Sequence, residues 1–224
     1  MSEIKTIADI LSSHFPKPTP ENDAEIDRWE QEQQKAEKLK RYRATVPERY
    51  WRESLGTFRA DTSEQKAARD SVIEYVREVK SGAFRTLILL GEPGTGKTHL
   101  ACGILREVGG IYRLSSEICS EVSMARSFTA KKTEAEVISS YAEPELLVID
   151  EIGRGYSGEL EQYTLYQINN ARYNRRKKTI YIGNYDKKSF LSYVGQATAD
   201  RLIESARTVE ITGRSYRMVL RWQQ

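Results

Sequence analysis

Residues 91–98 read Gly91-Glu92-Pro93-Gly94-Thr95-Gly96-Lys97-Thr98 and fit the spacing G-x-x-x-x-G-K-[ST] at every fixed position. Glycines at this spacing let successive backbone N–H groups turn inward, where a Cβ would obstruct them, and so make a cradle for an anion. A helix beginning at Gly96 points its positive end at the same anion. Lys97 is then expected to reach the β- and γ-phosphates of a nucleotide, and the Thr98 hydroxyl to ligate Mg²⁺. With His99 as its last member, the stretch 91–99 is expected to line an ATP site.

A second set of candidates follows one α/β unit later. LLVIDE, residues 146–151, ends a continuous apolar run with Asp150 and Glu151. Two acids at the carboxyl edge of a parallel strand fall beside the phosphate crevice. Asp150 is expected to hold Mg²⁺ through its water shell, and Glu151 to orient and polarise an attacking water. The second acid favours hydrolysis over transfer to a bound small molecule. A kinase would also need a lid and an acceptor pocket.

The elements that must position these groups are legible from periodicity. TLILL (86–90) and LLVID (146–150) are apolar throughout, as strands buried on both faces require. IYRL (111–114), TIYIGN (179–184) and TVEIT (208–212) supply three more strands. Helices are expected over 96–108, most of 116–141, 159–178 and 198–206. A further helix opens at the capping pattern Thr62-x-x-Gln65, with Ala68, Val72, Tyr75, Val76 and Val79 at helical spacing. Strands alternating with helices predict an α/β fold of three layers around a five-stranded parallel sheet. An aromatic patch, Tyr50, Trp51, Leu55 and Phe58, precedes the Thr62 helix.

The first 45 residues differ in kind. Three prolines in PKPTP (16–20) forbid regular structure, and a charge-dense helix is predicted over 25–43. Its apolar stripe of Ile26, Trp29, Ala36, Leu39 and Tyr42 is too narrow to bury much of it. Residues 1–45 are therefore read as a small helical region for docking a partner, and 46–224 as the nucleotide-binding domain.

The 224 residues carry a formal charge of +3, too small to imply nucleic acid by itself. The basic excess is local: Arg172, Arg175, Arg176, Lys177 and Lys178 stand together, and five arginines fall between 201 and 221. Cys102 and Cys119 are the only cysteines and form no CxxC pair, which suits a reducing compartment. No run approaches the ~18 apolar residues of a membrane span. The expectation is a soluble cytoplasmic protein without a membrane partner.

Four segments together resemble the DnaC/IstB group of AAA+ ATPases: GEPGTGKTHLA (91–101), LLVIDEIG (146–153), INNARYNRRKKTIYIGNY (168–185) and ADRLIESARTVEITGRSYR (199–217). The resemblance covers roughly residues 45–220 and implies a P-loop AAA+ domain. It gives Asn184 the sensor-1 position, where a side-chain amide bonds the γ-phosphate or the lytic water. It places Arg201 in the arginine-finger helix, offered to a neighbouring subunit, and Arg217 in the sensor-2 region, with Arg214 as its rival.

The resemblance further implies an ATPase that assembles as a homo-oligomer in its ATP state. Family members load replicative helicases or assist transposases. The expectation is a helicase loader that binds a DnaB-type helicase and single-stranded DNA as replication begins; the alternative is an IstB-like helper of a transposase. Candidate DNA contacts are Arg175 to Lys178 along the backbone, Tyr166 and Tyr173 as stacking rings, and Arg126, Lys131 and Lys132 in the segment 115–145.

Overall fold

The computed structural model describes residues 23–155, 158–213 and 215–216. The chain divides between Arg41 and Tyr42 into two units. In the first, residues 23–41 belong to helix α1 (Asp23–Thr45), whose side chains there are mostly exposed, Leu39 included. Its Glu37–Arg41 ion pair at 2.6 Å is exposed at both ends and contributes little.

The second unit is built on a sheet of five parallel strands: β1 (Thr86–Leu90), β2 (Ile111–Leu114), β3 (Leu146–Ile152), β4 (Lys178–Gly183) and β5 (Ala206–Glu210). Their order is β2-β3-β4-β1-β5, so β4 is inserted between β1 and β3. Alternate residues of a strand face opposite sides. Leu87 and Leu89 accordingly pack with Val72 and Val76 of α2 (Ser63–Lys80) and Leu100 and Ile104 of α3 (Lys97–Val108). Ile88 and Leu90 face the other cluster. It is filled from α4 (Ser115–Ala125), α5 (Glu134–Ala142), α6 (Gly158–Asn174), α7 (Lys187–Tyr193) and α8 (Gln196–Ser205). The three expected layers are present.

Local chemistry explains the element ends. The Thr62 hydroxyl accepts the Gln65 N–H while the Gln65 side chain accepts that of Thr62, the reciprocal cap expected for α2. The stretch 116–141, expected to be mostly helical, holds two helices, the second opened by the same device at Thr133 and Glu136. Helix α6 stops at Asn174, four residues before the expected end. Arg176 there adopts φ 52° and the Lys177 N–H bonds the Arg172 carbonyl. Helix α7 was not expected. Asp186 caps it by accepting the Ser189 N–H at 2.9 Å, a signal legible as Asp-x-x-Ser.

Arg172, counted with the basic run, is instead 1% exposed. It donates to the Thr179 hydroxyl and to the carbonyls of Tyr141, Pro144 and Lys178 at 2.5–2.9 Å, joining α5, α6 and β4. Burial pulls its guanidinium down to about 10.

Candidate functional site

The phosphate loop occupies the turn between β1 and α3, at the carboxyl edge of the sheet. Gly96 has φ 96°, and a Cβ there would lie 2.6 Å from the Phe58 ring, so only glycine fits. Lys97 is 6% exposed and its ammonium donates to the carbonyls of Gly91 and Glu92, each at 2.8 Å. The ammonium is thus held over the loop by the loop's own backbone.

Two strands away, the Thr98 hydroxyl donates to Asp150 Oδ2 at 2.8 Å. This contact brings together the two residues expected to hold the metal. The pair supplies hard oxygen donors beside the phosphate cradle, the chemistry Mg²⁺ selects when phosphate and water complete its shell. The residues present therefore fit the ion. Asp150 is 3% exposed and is held by two more donors: the buried Tyr112 hydroxyl at 2.8 Å on Oδ2 and the Glu151 N–H at 2.7 Å on Oδ1. Burial and the adjacent Asp150 carboxylate push the Tyr112 phenol well above its ordinary range.

Glu151 sits where β3 departs from regular pairing. Ile149 pairs with Tyr181 but Ile152 with Gly183, leaving one extra residue on β3. Glu151 takes φ 57° there, a costly backbone for a non-glycine residue, and its side chain is exposed. The bulge turns Asp150 inward and Glu151 toward the mouth. Because β4 lies between β1 and β3, Asn184 follows its last residue on the same edge. One cavity of about 410 Å³ is lined by Lys97, Thr98, Asp150, Glu151 and Asn184 together.

Several lining groups carry no motif. The segment after α1 contributes Tyr50, Glu53, Thr57, Phe58, Arg59 and Asp61 as a wall beyond the phosphate loop. His99 fastens that wall. Its Nε2 lies 2.9 Å from the Ser54 carbonyl and its Nδ1 3.1 Å from Glu53, while its ring meets Phe58 edge-on at 5.6 Å. Tyr216 closes another side, with its N–H bonded to the Gly94 carbonyl. Arg154, exposed just past the acidic pair, lines the cavity as well. The aromatic patch at 50–58 was the only advance signal for the wall, whereas His99 was already counted in the stretch 91–99 and Tyr216 stood in the segment 199–217.

The remaining candidates fall elsewhere. Arg201 does not line the cavity. It lies on α8 with its guanidinium 5.9 Å from the ring centroids of both Tyr166 and Tyr173, bonded to the Ala197 carbonyl. Arg214 and Arg217 lie outside the described residues. Of the supposed DNA-tracking cations, Arg175 pairs with Glu143 at 2.5 Å and Lys177 with Glu145, with Lys178 at 3.9 Å from the same carboxylate. Arg176 lies over the Phe84 ring. These contacts tie the run to the acids just before β3 and to the Phe84 ring. Lys131 and Lys132 are exposed on the loop between α4 and α5, beside the fully exposed Phe128.

A phosphate loop ending the first strand of a β2-β3-β4-β1-β5 parallel sheet, with an acidic pair ending β3, defines a P-loop protein of the AAA+ class. Residues 26–223 match the family of IstB-like ATP binding proteins, and the chain belongs to that family. It is 27% identical over 204 residues to the replicative helicase loader DnaC of Buchnera aphidicola (strain APS), covering 83% of this chain and 82% of that protein. It is 28% identical over 155 residues to DnaC of Escherichia coli K12, covering 66% and 62%. Among solved structures, the DnaC helicase loader superposes with TM-score 0.65 at 20% identity, over 74% of this chain and 100% of that one. The replication initiator DnaA bound to AMPPCP and single-stranded DNA does so with TM-score 0.61 at 21% identity, over 80% and 55%. No helix among the described residues is long and apolar enough to cross a membrane.

Proposed function

We propose that this protein is an ATP-hydrolysing, DnaC-like loader of a replicative DnaB-type helicase, working in the cytoplasm. The observation that carries the reading is the Thr98–Asp150 contact at 2.8 Å within one cavity shared with Lys97, Glu151 and Asn184. Lys97 would bind the phosphate oxygens of ATP in place of the two backbone carbonyls, and Thr98 and Asp150 would hold Mg²⁺ beside them. Bound Mg²⁺ supplies neutralisation of the charge that develops as the γ-phosphoryl group leaves. Glu151 orients the attacking water and Asn184 the γ-phosphate.

The chain's own cavity lacks Arg201, which suits a finger given to a neighbouring copy in an ATP-dependent homo-oligomer. Arg217 is assigned to sensor 2, with Arg214 as its rival. Single-stranded DNA is assigned to the α4–α5 loop. There the exposed Phe128 offers a stacking ring, and Lys131 and Lys132 offer unburied cations. Helix α1 is the docking element for the helicase. The family's IstB-like description favours one alternative, an ATPase helper of a transposase, with the same site chemistry.

The test is a stoichiometric complex with the host's DnaB-type helicase in ATP, isolated by size exclusion, and deposition of that helicase on single-stranded DNA. Lys97→Ala should weaken ATP binding on the order of 100-fold and abolish the complex's response to ATP. A chain that captures the transposase and ignores the helicase would transfer the role to the alternative.

A further inference from the structure

Glu161 is 1% exposed, deeper than Asp150 at 3%, yet it lines no part of the nucleotide cavity. It stands in the first turn of α6, where the helix N-terminus favours a negative charge. Its Oε2 accepts the Gly153 N–H at 3.1 Å and the Tyr193 hydroxyl, while its Oε1 is buried with no hydrogen-bond partner among the described residues. An under-satisfied buried carboxylate is costly, and an apolar side chain in its place would leave the Gly153 N–H and the Tyr193 hydroxyl without their acceptor.

Its two partners lead to the two reactive edges of the site. Gly153 lies two residues beyond Glu151, in a turn closed by the Arg154 N–H on the Glu151 carbonyl at 3.2 Å. Tyr193, on α7, stacks on Tyr185 with centroids 5.3 Å apart and planes 25° apart. Tyr185 directly follows Asn184. The circuit closes through Gly153, where a Cβ would fall 1.7 Å from the Tyr185 hydroxyl oxygen. The backbone turn after Glu151 is therefore held by Glu161 on one side and covered by the residue after Asn184 on the other.

We propose that Glu161 is a positioning residue that locks the Glu151 turn and the Asn184 strand end into one geometry, so that turnover and not ATP binding depends on it. The proposal rests on the hydrolytic reading above. Glu161 stands outside the lining of the cavity and acts through Gly153 and Tyr193.

The experiment compares Glu161→Leu, Glu161→Gln and Tyr193→Phe in the full chain under assembling conditions, measuring the ATP dissociation constant, KM, kcat and thermal midpoint. Glutamine keeps an oxygen able to accept both bonds, so E161Q should turn over ATP within about 2-fold of the wild type. E161L should lose about 10- to 100-fold in kcat with ATP affinity and KM unchanged, the scale of a misplaced catalytic group. Y193F, which leaves the Gly153 bond in place, should fall between them. E161L with wild-type kcat, or with affinity and kcat falling together, would overturn the proposal. If E161L fails to fold, Y193F with wild-type kcat overturns it equally. A wild-type protein that binds ATP and never turns it over removes the hydrolytic reading and this proposal with it; normal wild-type turnover with an indifferent E161L removes this proposal alone.

Discussion

Tyr112 donates its phenolic proton to Asp150 across 2.8 Å, onto the same carboxylate oxygen that the Thr98 hydroxyl meets. The two donors differ in what they are free to do. Thr98 stands at the start of α3 and can turn toward a ligand, whereas the Tyr112 side chain is fixed by burial in the core. Tyr112 thus holds the Asp150 carboxylate independently of Thr98.

Tyr112→Phe should therefore cost about 1–3 kcal/mol of stability, because a buried carboxylate oxygen loses a donor. It should also raise the Mg²⁺ concentration giving half-maximal ATP turnover, with Mg²⁺-free nucleotide affinity unchanged. Urea denaturation and a Mg²⁺ titration check the two parts. An unchanged Mg²⁺ requirement would show that Asp150 needs no such brace.

Arg201 rests over Tyr166 and Tyr173 of its own chain, away from its own nucleotide cavity. Arg201→Ala should abolish assembly-stimulated hydrolysis, by on the order of 10³-fold, and leave ATP binding intact. Mixing Arg201→Ala with Lys97→Ala chains should restore part of the activity, since one supplies the finger and the other the loop. Loss of ATP affinity in Arg201→Ala would remove the trans assignment.

Arg172→Lys should destabilise the domain by roughly 2–4 kcal/mol despite keeping the charge. The guanidinium serves four acceptors in fixed directions, and an ammonium on a thinner stem leaves some of those carbonyls without donors. Equilibrium unfolding in urea measures the loss. A variant as stable as the wild type would mean water replaces the missing donors.

The parts legible in advance share one property: their signal is local. The glycine spacing at 91–98, the apolar runs of β1 and β3 and the Thr62 cap each state their structure within a few residues. Asn184 became a site candidate only through the family resemblance. The insertion of β4 between β1 and β3 depends on long-range pairing that no single segment encodes. The Tyr50–Asp61 wall was invisible for a similar reason, since an aromatic patch fits a core as well as a binding wall. Arg172 misled because charge in a basic run reads as surface, and only the carbonyls of Tyr141, Pro144 and Lys178 around it reveal otherwise. The ion partners of Arg175 and Lys177 were hidden for a similar reason. Their partners Glu143 and Glu145 stand some 30 residues earlier in the chain.

The close approach of Gly153 and Tyr185 ties two distant positions of the chain to each other. A Cβ at 153 would fall 1.7 Å from the tyrosine oxygen, on a backbone with φ 82° that already strains any side chain. A substitution at 153 is therefore felt at 185, 32 positions away: the ring has to swing aside, and with it goes its stacking on Tyr193.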